Sequence, residues 1–138
     1  MDEKDRKIIS MLMENARIPK TKIAESLDVT ETAVRKRISK LEKTGIIMGY
    51  RAVINYKSAG LSASLTGLDV EPDRLWEVID RLKGMEEVKS IYLTTGDHMI
   101  MLEIVGSSVD ELSKIHERIS KLGGVKRICP AIILDVLK

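Results

Sequence analysis

Between Lys20 and Glu42 two short helical patterns follow one another with almost nothing between them, and few folds accommodate that arrangement. Ile23, Ala24 and Leu27 share one face of the first, while Val34, Ile38 and Leu41 mark one face of the second at i, i+4 and i+7. Asp28-Val29-Thr30 is a tight break, with Thr21 expected to cap the first helix and Thr30 the second. Ala24 is small where two crossed helices must come close, so the spacing predicts a helix-turn-helix. A helix over residues 3–15, with Ile8, Ile9, Leu12 and Ala16 at helical spacing, precedes the pair. Asp2, Glu3 and Asp5 suit its N-terminus, Pro19 stops any continuation, and Gly45 ends the third helix.

The polar residues of the same segment point to double-stranded DNA. Laid in a major groove, the third helix directs Glu31, Thr32, Arg35 and Lys36 toward base edges, while Thr30, Lys40 and the Lys20, Thr21, Lys22 group reach phosphates. Arginine reads guanine through two hydrogen bonds, whereas lysine supplies sequence-independent attraction. Arg37 adjoins the apolar Ile38 and is expected to play an inward structural role. The charge distribution agrees: residues 1–57 carry 13 Lys+Arg against 8 Asp+Glu, and residues 58–138 carry 10 against 13. A basic front and an acidic back imply that only the front meets a polyanion.

From Leu61 the pattern changes. A strand over 61–70 leads to a helix opened by Pro72-Asp73, with Leu75, Ile79 and Leu82 on one face, Trp76 and Val78 flanking, and Gly84 at its end. Strands over 88–95 and 99–105 meet at Gly96-Asp97-His98 as an antiparallel hairpin. Ser107 or Ser108 caps a helix carrying Leu112, Ile115, Ile119 and Leu122, Gly123-Gly124 ends it, and a strand over 125–137 closes the chain. The order βαββαβ is the ferredoxin-like unit, two helices over one face of a four-stranded sheet. The fold class is therefore α+β: a three-helix DNA-binding domain over 1–47, a connector of extended chain or short strand over 48–60, and a ferredoxin-like domain over 61–138. With its other face bare, so small a sheet domain gains by packing against a second subunit.

These motifs together resemble a known family. Asp5-Arg-Lys-Ile-Ile with Asn15-Ala-Arg17, Ile23-Ala-Glu-Ser-Leu, Val34-Arg-Lys-Arg-Ile-Ser-Lys-Leu-Glu42, Gly45-Ile-Ile47 and Gly49-Tyr-Arg-Ala-Val-Ile54 resemble the Lrp/AsnC (feast/famine) transcription regulators along the whole chain. The resemblance implies a winged-helix-like DNA-binding domain and an ACT-like effector domain. It further implies a homodimer that assembles to a tetramer or octamer, and a small-molecule effector, commonly an amino acid. The effector site falls on the hairpin, at Thr95, Gly96, Asp97, His98 and Met99. Two departures stand out: Met99 replaces a carboxylate of the family pattern, and Ile128-Cys-Pro130 replaces its threonines. Asp97 as substitute, a more apolar effector and no effector at all stay open.

A chain without Phe or Gln and rich in Lys, Arg and Glu resembles thermophile proteins, so an archaeal or thermophilic member is expected. The N-terminal MDEKDRK lacks the apolar core of a signal peptide, and no apolar run spans a bilayer; the expected place is the cytoplasm, with no membrane partner. Cys129 stands alone and is read as a core residue. His98 is read as an exposed turn histidine and His116 as alone on a helix flank; Trp76, Met99 and Met101 are read as packing residues. No catalytic set, metal spacing or phosphate loop is present, so neither enzyme activity nor a cofactor is expected. Two alternatives remain, an architectural DNA-coating protein and an enzyme resembling the sirohaem decarboxylases with His98 as its candidate residue.

Overall fold

Asp2 starts the first helix. Its carboxylate accepts the Asp5 N–H at 2.9 Å, and the Asp5 carboxylate reaches back to the Asp2 N–H at 3.3 Å, a capping box that satisfies two otherwise orphaned donors. Helix α1 spans Glu3–Glu14, α2 Lys20–Leu27 and α3 Glu31–Lys43. The expected cap at Thr21 is not formed: α2 begins two residues earlier than that cap would start it, at Lys20, with Pro19 as its N-cap and no side-chain cap. The reason is geometric. Proline's φ of −61° is already compatible with helix entry, and its carbonyl takes the Lys22 and Ile23 N–H groups directly. Thr30 does cap α3, accepting the Ala33 N–H at 3.1 Å.

Between α2 and α3 the chain turns through Asp28 at φ 52°, the one non-glycine residue in left-handed backbone, which aspartate tolerates better than most. The three helices enclose Ile8, Ile23, Ala24, Leu27, Val34, Ile38 and Leu41. Each fully buried aliphatic side chain contributes about 1.5–3 kcal/mol.

The computed structural model describes residues 1–138 and divides into two compact units, Met1–Ala52 and Val53–Lys138. Residues 48–55 form no strand ladder in the single chain; a turn follows, closed by the Leu61 N–H on the Tyr56 carbonyl. In the second unit β1 is Ser62–Val70, α4 Leu75–Lys83 after a 3-10 turn at Pro72–Arg74, β2 Val88–Leu93, β3 Ile100–Gly106, α5 Val109–Ser120 and β4 Val125–Ile132. The sheet order is β2-β3-β1-β4, every pair antiparallel. Leu68, Val70, Ile100, Leu102 and Ile104 meet Val78, Ile79, Leu82, Leu112, Ile115 and Ile119 in one core. The alternate residues of β1 face away from the helices, and Leu65 among them is half exposed.

Four further expectations need correction. Strand β4 stops at Ile132, paired with Ser64, rather than running to residue 137; one further bond, from the Ile133 N–H to the Ala63 carbonyl at 2.9 Å, ends the pairing as β1 itself starts at Ser62. Strand β2 ends two residues earlier than expected and β3 is displaced one residue along the chain, so the connection spans 94–99, closed by the Thr94 N–H on the Met99 carbonyl. Trp76 is not a packing residue in the chain but lies 64% exposed on α4, since Val78 rather than Trp76 shares the inward face with Ile79 and Leu82.

His116 is the fourth. It is buried, and its Nε2 lies 2.8 Å from Ser64 Oγ and 3.2 Å from Thr66 Oγ1, so the two hydroxyls of β1's inward face are satisfied by α5. A buried hydroxyl without such a partner costs roughly 1–3 kcal/mol. Burial holds the His116 imidazole below its ordinary pKa of 6.5. The unfolded chain therefore binds this proton more readily than the folded one, and the neutral ring's contribution is present above pH 6.5 and lost as pH falls below it. Urea unfolding of the second unit should show stability declining from pH 7 to 5, with a shallower decline in His116→Gln. Parallel profiles would contradict the assignment.

Candidate DNA-binding face and effector hairpin

The side of α3 opposite Val34, Ile38 and Leu41 is wholly polar. Thr32, Arg35, Lys36, Ser39, Lys40 and Lys43 line one concavity of about 500 Å³. Four cations and no carboxylate border it, and Lys40 and Lys43 also suit the negative end of the helix. Glu31 stands at its edge and accepts from Arg35 Nη2 at 2.5 Å, one turn apart on the helix. Thr30 caps the helix, and Thr21 and Lys22 are exposed on α2. Lys20 lines a second concavity, about 390 Å³, shared by Arg35, Glu42, Tyr50 and the apolar Leu12, Ile18, Ile23 and Ile38. Tyr50 donates its hydroxyl to Glu42 at 3.1 Å, and burial first, then that carboxylate, raises its pKa.

Ser39 and Lys43 are absent from the sequence-based set, though they continue the i, i+3, i+4 run through Lys36 and Lys40. Arg37 lies off this face. Its Nη1 donates to Asp2 at 2.7 and 2.8 Å and to Asp5 at 3.1 Å, tying the start of α1 to the middle of α3. The Asp5 N–H first, and Arg37 second, hold the Asp2 carboxyl down at about 2. The expected inward role of Arg37 is thus a helix-to-helix tie.

On the second unit Thr95, Gly96 and Asp97 are exposed at the tip of the β2–β3 turn, with His98 and Met99 half buried behind them. His98 is not the free turn histidine expected. Its Nδ1 donates to Asp69 Oδ2 at 3.1 Å, and the Met99 N–H donates to Asp69 Oδ1 at 3.2 Å. His98 first, then the Met99 N–H, lowers the Asp69 pKa. Asp69 lies on β1, 29 residues away in sequence, and no local pattern could have announced it.

Residues 1–48 match the winged helix-turn-helix DNA-binding family, and residues 65–138 match the Lrp/AsnC ligand binding domain. The HTH-type transcriptional regulator LrpA of Pyrococcus horikoshii is 46% identical over 140 aligned residues, covering 100% of this chain and 99% of that protein. The chain belongs to the Lrp/AsnC family. Among solved structures, the leucine response regulatory protein of Mycobacterium tuberculosis superposes with a TM-score of 0.80 at 28% identity, over 100% of this chain and 95% of that one. A Neisseria meningitidis transcriptional regulator solved in complex with L-methionine shares the fold, with a TM-score of 0.72 at 22% identity over 100% and 92% of the two chains.

This Lrp/AsnC chain is therefore a DNA-binding transcriptional regulator with a ligand-binding domain, and its relatives carry regulator names rather than enzyme names. No helix in it is long and apolar enough to cross a membrane.

Proposed function

We propose that the chain recognises specific DNA sequences with α3 in the major groove, and that a small effector, an amino acid, held on Thr95, Gly96, Asp97, His98 and Met99 tunes its assembly or DNA affinity. The observation that carries the DNA half is the uninterrupted basic face of α3. Arg35 and Lys36, with Glu31 and Thr32, read bases; Thr30, Lys40 and the Lys20-Thr21-Lys22 group bind phosphates. In a dimer built through the sheet domains, two such helices reach successive major grooves about 34 Å apart, and dimers assemble further into tetramers or octamers. An amino-acid effector is supported by a fold neighbour named for leucine response and another solved with L-methionine. Such a ligand acts by binding one assembly state better than another, since equal affinity for both shifts nothing.

Lys40→Ala is expected to weaken binding to all sequences about equally and to lower the slope of log affinity against log salt by about one. Anisotropy titrations over a salt series measure both. A loss confined to the preferred site would move Lys40 from the phosphates to the bases. The effector half is tested by a thermal-shift screen of the twenty amino acids followed by light scattering with any hit. A stabilising amino acid that changes the particle size supports it, and no response to any of them removes it.

A further inference from the structure

We propose that the His98 ring is a latch that fixes the 94–99 turn against the open face of the sheet, with Gly67 as its seat and Asp69 as its catch. The inference rests on the reading of that turn as the effector site, and makes Gly67 and Asp69 positioning residues for it.

The seat is a missing side chain. Gly67 lies mid-strand in β1, in register with Met101 of β3 on one side and Cys129 of β4 on the other. A Cβ built there would stand 2.2 Å from His98 Cδ2, 2.4 Å from Cγ and 2.8 Å from Nε2. No Cβ comes that near another heavy atom, so the ring occupies the space that any other residue at position 67 would fill. Glycine is otherwise a poor choice within a strand, where it weakens the ladder and marks close approach of another group. Nor does backbone conformation demand it, since the positive-φ glycines are Gly45, Gly60 and Gly124.

The catch is the Asp69 carboxylate, two residues along β1 and on the same face. One oxygen takes the His98 ring at 3.1 Å and the other the Met99 backbone at 3.2 Å, so a single side chain holds both the ring and the chain that carries it. Thr94 closes the turn from its opposite end, donating Oγ1 to the His98 carbonyl at 2.7 Å. The turn is thereby fixed at three points, all on residues flanking or within the effector set. Rigidity there improves ligand affinity because the ordering cost is met before binding.

The latch has a signature that needs no ligand. In its neutral form the His98 ring should carry its proton on Nδ1, the nitrogen facing Asp69, and long-range proton–nitrogen spectra of the full chain read this directly. Gly67→Ala and Asp69→Ala should each abolish that tautomer and speed hydrogen exchange at the Met99 amide, while His98→Asn, which keeps a donor near the Nδ1 position, should retain much of the protection. Gly67→Ala is the cleaner variant, because alanine suits the strand backbone better than glycine does; Asp69→Ala reaches the same latch without altering the strand's packing. Titration with L-leucine and L-methionine should then show affinity weakened roughly tenfold in both variants and less in His98→Asn. An unchanged tautomer and unchanged Met99 exchange in Gly67→Ala and Asp69→Ala would overturn the latch. A released turn with wild-type affinity would overturn its positioning role while leaving the effector reading intact. Wild type that binds neither amino acid would count against the effector reading alone, and the latch would stand or fall on the spectra.

Discussion

Arg35→Ala is expected to weaken binding to the preferred DNA site by about 1–3 kcal/mol, roughly 5- to 150-fold, and to flatten the preference at one base position in each half-site. The side chain is 61% exposed and pairs with Glu31 on the same helix. An exposed pair four residues apart contributes only about 0.3–0.5 kcal/mol to a helix, so the substitution leaves the fold nearly untouched and its effect falls on recognition. Glu31 also holds the guanidinium in place while leaving other N–H groups for a guanine edge. Anisotropy with the preferred site and its single-base variants at one salt concentration separates the outcomes. Equal loss on every variant, with a reduced salt slope, would make Arg35 a phosphate contact.

Ile38→Ala should cost about 2–5 kcal/mol, the range for removing most of a buried isoleucine from a core that cannot collapse around the gap. Ile38 is 5% exposed, packed with Ile8, Ile23, Ala24, Leu27, Val34 and Leu41. Small domains lie at the low end of the 5–15 kcal/mol usual for folded proteins, so this loss removes a large share of the first unit's stability. The core of the second unit is formed by a separate set of residues. Calorimetry should therefore show the helical unit melting early or already unfolded, with DNA binding lost and the transition of the second unit unshifted. A variant with full DNA affinity and an unshifted transition would mean that this helix is not anchored as described.

The order of elements and the apolar periodicity of both units were legible because each helix and strand repeats a local pattern: Val34, Ile38 and Leu41 on α3, or Leu112, Ile115 and Ile119 on α5. The basic face of α3 was legible for the same reason, since residues spaced three and four apart share a face. What stayed hidden depends on contacts between distant segments. Arg37 beside Ile38 announces a structural role, but not that Asp2 and Asp5 receive it. His116 looks solitary until the register of β1 brings Ser64 and Thr66 beneath it. Gly67 and Asp69 carry no local signal, because their importance is the place where a turn some 30 residues later comes down. Pro19 misled in a different way: it ends one helix in the sequence pattern and, with φ already helical, begins the next.

The central claim is selective recognition by α3 in paired subunits, and nuclease footprinting of the full chain on a pool of genomic fragments, at one fixed salt concentration, tests it most directly. The account predicts a few protected sites, each with two half-sites about one helical turn apart and each lost in Arg35→Ala. Even protection of every fragment, unaltered by that substitution, would contradict it and leave a protein that coats DNA without reading it.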